Sequence, residues 1–420
     1  MEQYKRDNLI AIFLSLVLAY LTYLMVLSEL PKTLADYNGH TYVYLPSFSK
    51  ETWFEGWKMV PYCMWHLSVL FFNKLLHIPL ETSAAYVSCI FRMLTYFVYY
   101  WIVKKATAVA GNEESSSKAA FIAFGLSVSQ GIYFHWLQAG NGRFLGMYSQ
   151  NPIHNPTQMT ASVFSLLCLC LVADIWGKQK DDNYHGMFFQ VEKGLKKYYI
   201  YLAITLALSA MAKPTFAEMF IPTIGILMLW EWIVRIRQKD GSGKIYFRHC
   251  LNMFLCAVPS LLYILLQFLA YFIWGGSYGA DGGFMITKWL EVWSMYSENV
   301  FLSIALGMAF PLFMFLINTE YFLKNDLGRI ALTGYIVAFL EAALLGEGGS
   351  KLAHSDFIWP LMSAMLIAFT VSMIRLLTLE RTQADTKGKR ILLNIAWFLF
   401  CLHVLCGLIY LKTMILVPIQ

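Results

Sequence analysis

The sequence predicts an all-α, polytopic transmembrane helical bundle of about eleven spans, and three observations support this prediction. Hydrophobic residues make up 58% of the 420-residue chain and charged residues only 14%, against roughly 25% charged residues in an ordinary soluble domain. The apolar residues come in long runs rather than in amphipathic stripes, and basic residues cluster in alternate connections between these runs. We therefore expect residues 1–420 to form a single integral membrane domain.

The apolar runs are long enough for membrane-spanning helices, which need roughly 20 residues. No small-residue cleavage site follows the first run, so we interpret it as a retained span rather than a signal peptide. The fifth run is short and ends at Lys213-Pro214, which predicts a broken or tilted helix continuing into the sixth. The predicted spans lie near residues 9–28, 84–103, 119–138, 156–177, 199–212, 214–234, 249–274, 300–318, 329–346, 358–378 and 391–411.

The distribution of basic residues predicts the orientation of the chain. Most of the 32 Lys and Arg residues fall in one alternating set of connections, at 5–6, 104–118, 178–197, 235–248, 324–329 and 375–390. The positive-inside rule then places the N-terminus in the cytoplasm and the C-terminus outside. The net charge of +6 is therefore an orientation signal and does not indicate a nucleic-acid partner.

The remaining segments contain no sign of a separate soluble domain. The largest outer loop is 29–83, and apolar positions at helical spacing in 53–76 predict one or two helices in the interface plane. A second outer loop, 275–299, is expected to run into an amphipathic helix. The eight cysteines show no metal-ligand spacing, so we interpret them as small buried residues rather than as metal ligands or disulfides.

Ionisable residues from several distant segments are predicted to lie on the outer side. Charged groups near lipid are costly, so a convergent set of this kind suggests a polar cavity. The candidate site residues are Asp36, His40, Arg143, His154, Asn155, Lys213, Glu347, Lys351, His354 and Asp356.

Asp36 and His40 follow the first span and would lie one turn apart on one face of a helix. Asp36 is then a candidate general base, with His40 orienting it or binding an anion. The alternative is that Asp36 caps a short helix and His40 is merely solvated. Their spacing alone leaves both interpretations open.

The segment 151–158 is the most distinctive in the chain. Asn155 followed by Pro156 is typical of a helix N-cap with proline at the first helical position. Free N–H groups there, with His154 and Arg143 nearby, would suit a phosphate. The alternative is that these residues only start a helix.

The segment 346–360 is glycine-rich, which permits close backbone approach. Lys351 and His354 are possible phosphate ligands there, although no GxxxxGK[ST] phosphate loop is present. Lys213 and Glu218 flank a proline nearer the membrane, and a structural ion pair explains them as well as a catalytic role does.

With these residues in place, the layout resembles the GT-C superfamily of membrane glycosyltransferases. That resemblance rests on Asp36-Tyr37-Asn38-Gly39-His40 after the first span, followed by the interfacial stretch 53–76. The NPxHNPT segment at 151–157 and the GExxxxLxHxxFxWP segment at 346–360 also resemble outer-face motifs of bacterial membrane proteins often grouped with such enzymes. The chain departs from the pattern in lacking a C-terminal soluble domain and a DxD or ExD pair, which argues against a metal-dependent mechanism.

The resemblance implies a glycosyltransferase in the bacterial cytoplasmic membrane, acting in cell-envelope polysaccharide biosynthesis. It would move a sugar from a polyprenyl-phosphate-linked donor to a glycan or lipid acceptor on the outer face, without a cofactor. Asp36 would take the acceptor proton, while Arg143, His154, Lys351 or His354 would meet the donor phosphate.

Two other functions stay open. One is a polysaccharide polymerase of lipid-linked repeats, which depends more often on outer-loop arginines, of which Arg143 is the clear example here. The other is a transporter or flippase for lipid-linked sugars. That function needs charges along a path to both faces, and Asp174 is the main acid near the inner ends of the spans. The lack of an internal repeat also weakens a transporter interpretation.

Overall fold

Helices form nearly all of the regular structure in the computed structural model, which confirms the predicted all-α class. The structure describes residues 2–48, 52–109, 116–133, 148–191, 194–239, 241–274, 284–348, 352, 356–382 and 386–416. In the first half of the chain the helices are α1 (Glu2–Glu29), α2 (Asp36–Asn38), a π-helical turn (Gly39–Tyr44), α3 (Leu45–Ser47), α4 (Trp53–Met59), α5 (Met64–Leu76), α6 (Leu80–Val109), α7 (Ser116–Val128), α8 (Pro156–Lys180) and α9 (Lys196–Ala212).

The second half contains further long helices and two short strands. The helices are α10 (Thr215–Gln238), α11 (Ser242–Phe268), a second π-helical turn (Leu269–Ile273), α12 (Glu291–Ser294), α13 (Val300–Gly307), α14 (Ala309–Ile317), α15 (Thr319–Lys324), α16 (Asp326–Leu344), a 3-10 turn (Asp356–Ile358), α17 (Trp359–Thr382) and α18 (Lys387–Leu416). The strands are β1 (Phe284–Ile286) and β2 (Leu345–Glu347).

Eight of these helices are long and apolar enough to cross a membrane, so the chain is a multi-pass membrane protein. They coincide with eight of the eleven predicted spans. The predicted span near 300–318 is a broken pair, α13 and α14, bent by 72°. The two other predicted spans correspond to α7, with 13 residues, and α9, with 17, both shorter than the usual spanning length.

Helices α8 and α17 form the centre of the bundle. In their most apolar windows 89% and 94% of residues are buried, whereas only 33% are buried in α11 and α18. Central helices are surrounded by protein on all sides, which accounts for their low amphipathicity. The middle parts of α8 and α17 are therefore enclosed by the neighbouring helices.

The two ends of α8 define two ends of the bundle. At its C-terminus, Lys180 Nζ lies 3.0 Å from Glu231 Oε1 of α10 and 2.5 Å from Asp326 Oδ1 of α16. Arg329 also pairs with Glu231, and the indole of Trp176 donates to the same carboxylate. We call this the basic end, because it carries the connections rich in Lys and Arg. The opposite end, where α8 begins, is called the Asp36 end.

Asp174 is fully buried near the C-terminal end of α8 and anchors the loop that follows this helix. Its carboxylate accepts hydrogen bonds from the Tyr184 hydroxyl at 2.9 Å and from the backbone N–H groups of Met187, Phe188 and Phe189 at 2.7, 3.0 and 2.5 Å. A buried carboxylate needs such partners to offset its desolvation. These bonds account for Asp174 as a structural residue.

A two-stranded antiparallel sheet was not predicted from the sequence. Strand β1 pairs with β2 in the register Phe284 to Glu347, Met285 to Gly346 and Ile286 to Leu345. This pairing joins the middle of the predicted loop 275–299 to the glycine-rich segment. Strands of three residues are too short to show the two-residue alternation that reveals a strand in a sequence.

His403 of α18 joins three parts of the bundle inside the protein. Its Nδ1 donates to the Gln130 carbonyl at 2.7 Å, and its Nε2 accepts from the Phe310 backbone N–H at 3.3 Å. The carbonyl can only accept, so the proton is on Nδ1. Phe310 lies in the first turn of α14, directly after the bend between α13 and α14. His403 therefore provides an acceptor where the backbone hydrogen bonds of the helix are interrupted.

Helix α18 also comes very close to the end of α7 at Gly407. A Cβ built on Gly407 would overlap the Val128 carbonyl and lie 3.2 Å from Ser129 Cα. The close approach of the two backbones therefore requires glycine at this position.

Candidate functional site

Asp36 is the first residue of α2, and its side chain does not cap this helix. The N-cap position is Ala35, which makes no side-chain capping bond. The Asp36 carboxylate instead reaches a different part of the chain, where Oδ2 accepts a hydrogen bond from Asn155 Nδ2 at 2.8 Å. Of the two interpretations left open by the sequence, the capping role is thus not the one observed.

Asn155 caps α8, as its position before Pro156 predicts. Its Oδ1 accepts from the Gln158 backbone N–H and from Thr157 Oγ1, both at 2.9 Å. A backbone N–H can only donate, so the amide oxygen must face Gln158 and the amide nitrogen must face Asp36. Capping therefore accounts for one end of the side chain, and the contact with Asp36 accounts for the other.

Lys213 lies between α9 and α10 and is only 7% exposed. Its Nζ is 3.5 Å from Asn155 Oδ1 and 3.6 Å from the centre of the Trp359 ring. Among the described residues no carboxylate lies within 4 Å of this ammonium, so the expected direct ion pair with Glu218 is not formed.

Several acidic side chains lie close enough to Lys213 to act on its charge without contacting it directly. Burial lowers the pKa of Lys213 to about 8, and the charges of Asp356, Asp36 and Glu218 oppose this shift. The side chain thus still carries its charge for most of the time at neutral pH. A buried cation without a direct carboxylate partner is suited to binding an anion.

A set of neutral hydrogen bonds holds the helices around this cluster together. Gln158 of α8 donates through Nε2 to Ser363 Oγ of α17 at 2.8 Å, and Thr215 Oγ1 of α10 donates to Gln158 Oε1 at 2.7 Å. All three side chains are buried. The beginnings of α8, α10 and α17 are therefore tied at one point, which fixes Asn155 and Lys213 relative to each other.

His154 is buried beside the same cluster, where its Nδ1 is 3.1 Å from the Tyr410 hydroxyl and its ring centre 5.7 Å from that of Trp359. Burial and, as a smaller cause, the charge of Lys213 together lower the pKa of His154 to about 3. The ring is therefore neutral at physiological pH. It can offer a hydrogen bond to a phosphate but no positive charge.

His40 contacts a second histidine rather than Asp36. Its Nδ1 lies 3.0 Å from His66 Nε2, and both rings are buried. Burial, followed by the charges of His66 and Lys213, holds the pKa of His40 well below its usual value. Burial also lowers the pKa of His66 to about 3. His66 Nδ1 has no hydrogen-bond partner among the described residues.

His66 was not predicted as a site residue, although a sequence signal was present. It stands within the apolar spacing of α5, directly after Trp65. The ring lies edge-on to Trp65 and stacks on Phe48 at a centre-to-centre distance of 5.7 Å. A histidine on the buried face of an otherwise apolar helix needs a polar partner, and the His40 ring provides it.

Two acidic residues of the glycine-rich segment, Asp356 and Glu347, are among the residues that the structure describes. Arg143, Lys351 and His354 lie outside the described residues. Asp356 is exposed at the start of the 3-10 turn, and its charge acts on Lys213 and on Tyr44. Glu347 is buried in β2, which packs against that turn.

The structure thus brings together parts of all three predicted segments at the Asp36 end. Burial raises the pKa of Asp36, with the Asn155 hydrogen bond and the Lys213 charge opposing this shift. The second carboxylate oxygen, Oδ1, accepts no hydrogen bond from the described residues. In this cluster the Asp36 carboxylate has one oxygen fixed by the Asn155 amide and one oxygen available. The buried Lys213 ammonium contacts the same Asn155 amide through its oxygen.

No protein-family model matches the chain, and no match is found among curated proteins. In the part of the chain that the structure describes, no group of three or more His, Cys, Asp or Glu side chains is arranged to hold a metal ion. The chemistry of the site has therefore to be argued from its own residues.

Proposed function

We propose that this protein is a membrane glycosyltransferase that moves a sugar from a polyprenyl-phosphate-linked donor to a hydroxyl group of an envelope glycan or lipid. The observation that carries the proposal is the arrangement of Asp36, Asn155 and Lys213 around one amide side chain. A transferase of this kind needs a base for the acceptor and a positive charge for the leaving phosphate. These three residues supply both at one place.

In the proposed reaction Asp36 Oδ1 takes the proton of the acceptor hydroxyl. The acceptor oxygen forms a bond to the anomeric carbon of the sugar, while the bond from that carbon to the phosphate oxygen breaks. The leaving polyprenyl phosphate keeps the electron pair of the broken bond, and the Lys213 ammonium stabilises its added negative charge. Atoms and charges balance without a metal or a nucleotide.

The surroundings of Asp36 support its role as the base. Its raised pKa makes the carboxylate a stronger proton acceptor than an exposed aspartate. The Asn155 amide holds Oδ2, which leaves the other oxygen for the substrate. A fixed orientation of this kind reduces the entropy cost of reaching the reactive geometry.

The position of the cluster also suits a lipid-linked donor on the outer face. The basic connections are at the opposite end of the bundle, which supports an outer location for the Asp36 end under the positive-inside rule. Sugar nucleotides are cytoplasmic compounds, whereas a lipid-linked sugar can reach the outer leaflet. The aromatic residues of α4 and α5 stand beside this end and suit the interface between lipid and water.

A polymerase of lipid-linked repeats would use the same bond chemistry and differs in its product. A transporter or flippase would need ionisable groups leading to the basic end. Asp174, buried in α8 towards that end, has a carboxylate that is already engaged by four donors of the following loop. Among the described residues this contact pattern favours an enzyme over a transporter.

The test is sugar transfer by the purified protein in proteoliposomes containing a radiolabelled polyprenyl-phosphate sugar and a glycan acceptor. We expect Asp36→Asn to lower transfer by about 10²-fold or more, since general base catalysis contributes that much. Glu320→Gln, at an exposed position of α15, is the matched control and keeps full transfer. Full activity in Asp36→Asn, or substrate movement across the bilayer without any product, contradicts the proposal.

A further inference from the structure

Two adjoining cavities lie at the basic end, far from Asp36, where α10 turns into α11. The outer cavity, of about 580 Å³, is lined by Trp232, Arg235, Ile236, Lys239, Lys244 and Phe247. The inner cavity, of about 280 Å³, extends between α9, α10 and α11. Trp232 and Phe247 line both cavities, so the two spaces adjoin along these rings.

Three basic side chains line the outer cavity beside apolar ones. They are Arg235, Lys239 and Lys244, and no carboxylate of the described residues lines it. Among the described residues none of these cations forms an ion pair, and the Arg235 guanidinium lies 4.6 Å from the centre of the Tyr246 ring. Asp240, between the two lysines in sequence, lies outside the described residues. The charges are at the last turn of α10 and the first turn of α11, the depth of lipid headgroups.

The inner cavity is apolar and lies between α9 and the long apolar helices α10 and α11. Its walls include Leu206 of α9, Ile224 and Met228 of α10, and Met253 of α11. Gly225 of α10 also lines it, and a Cβ built there would meet no atom within 4 Å. The space is thus wide enough at this level to admit a hydrocarbon chain without displacing protein atoms.

We propose that this pair of cavities binds one anionic phospholipid. Arg235, Lys239 and Lys244 hold its headgroup phosphate, and one acyl chain passes Trp232 and Phe247 into the space beside Gly225. Basic pockets between transmembrane helices are suited to anionic headgroups. A zwitterionic lipid brings its own cation, which the three positive side chains repel. The charge complementarity therefore selects an anionic lipid, and this site does not depend on the proposed sugar transfer.

The experiment measures lipid retention by native mass spectrometry on delipidated full-length protein. Phosphatidylglycerol, phosphatidylcholine of the same chain length and inorganic phosphate are added in separate titrations. We expect the protein to retain phosphatidylglycerol at about tenfold lower concentration than phosphatidylcholine, since each basic residue near anionic lipid contributes a severalfold preference. Inorganic phosphate alone is expected neither to bind tightly nor to displace the lipid.

Substitutions test binding of the headgroup and binding of the acyl chain separately. Combining Arg235→Gln, Lys239→Gln and Lys244→Gln should abolish the preference for phosphatidylglycerol, whereas Lys105→Gln, at the basic end of α6, should keep it. Gly225→Phe should weaken binding of both lipids by filling the inner cavity, and Gly225→Ala should leave binding unchanged. Thermal unfolding of each variant checks its folding.

Three results overturn the proposal. The first is equal retention of the two lipids by the unaltered protein. The second is an unchanged preference in the triple variant. The third is phosphate binding as tight as lipid binding, together with normal lipid retention in Gly225→Phe, which would show a phosphate site without a chain.

Discussion

Asn155 Nδ2 donates a hydrogen bond to Asp36 Oδ2 across 2.8 Å, and this bond joins two residues that are 119 positions apart in the sequence. The same amide caps α8 through its oxygen. The orientation of the carboxylate therefore depends on the start of a helix at the centre of the bundle.

The two roles of Asn155 can be separated by substitution. Serine also caps helices well but is too short to replace the amide contact with Asp36. We expect Asn155→Ser to fold with nearly unchanged stability and to lose most of its sugar transfer. Asn155→Ala should lose transfer too, and its free energy of unfolding should fall by about 1 kcal/mol because the cap is missing. Transfer assays and unfolding curves on both variants test this, and full transfer in Asn155→Ser would show the Asp36 contact to be dispensable.

The pH dependence of transfer should report the ionisation of Asp36. Burial raises the pKa of this carboxyl, so the base is lost as pH falls through a value above the usual aspartate range. Because the pKa is raised on folding, ionisation of Asp36 at higher pH reduces the stability of the folded state rather than increasing it. We therefore expect kcat/KM to fall on the acid side at a higher pH than it would for an exposed aspartate.

Lys213 should change the pH at which kcat/KM falls on the acid side, which we call the acid limb. Its positive charge lowers the pKa of Asp36, so Lys213→Met should move the limb of kcat/KM upward by about one pH unit. Lys213→Arg keeps the charge and should leave the limb near its original position. A lower kcat with no movement of the limb in Lys213→Met would assign the lysine to the leaving phosphate alone.

The close approach of α18 to α7 should make Gly407 sensitive to substitution. A Cβ there overlaps the Val128 carbonyl, so Gly407→Ala should lower the free energy of unfolding by about 1–3 kcal/mol. Gly388 is in the same helix, and a Cβ built on it would meet nothing within 4 Å. Gly388→Ala is therefore the matched control for thermal unfolding in detergent. Equal melting temperatures for the two variants would contradict the packing seen at Gly407.

Asp174 should affect stability without affecting the chemistry. In Asp174→Asn the loss of charge weakens the acceptor of three backbone N–H groups, at a cost of about 1–3 kcal/mol. Hydrogen exchange at 187–189 should become faster, while the kcat of the remaining folded protein is retained. Asp182→Asn, at an exposed position of the same loop, should leave exchange unchanged. Loss of kcat without faster exchange would point to a functional acid on a path through the membrane.

The parts of this structure that were predictable from the sequence are those with local signals. Long apolar runs revealed eight spans, and Asn155 before Pro156 revealed the start of α8 with the correct cap. The grouping of Asp36 with the segments around 155 and 356 followed from their shared side of the membrane. All of these depend on residue type and spacing within about twenty positions or on alternation between spans.

The parts that were not predictable depend on tertiary contacts. The spacing of Asp36 and His40 suggested that they act together, yet His40, in the π-helical turn after α2, faces His66 of α5. The pairing of β1 with β2 joins segments about 60 residues apart and leaves no periodic pattern in either. The bend between α13 and α14 lies within a run that is continuously apolar, so hydropathy alone shows one span.

The contact of His403 with Phe310 has a consequence for how the chain is assembled in the membrane. Lipid cannot hydrogen-bond the backbone groups exposed by the bend before α14. The acceptor for the Phe310 N–H comes from α18, which emerges from the ribosome after α14 and every helix up to α17. Insertion of the broken span is therefore completed only when α18 arrives. A chain truncated before α18 would leave this span unsatisfied, exposed to the quality-control proteases that recognise unassembled membrane segments.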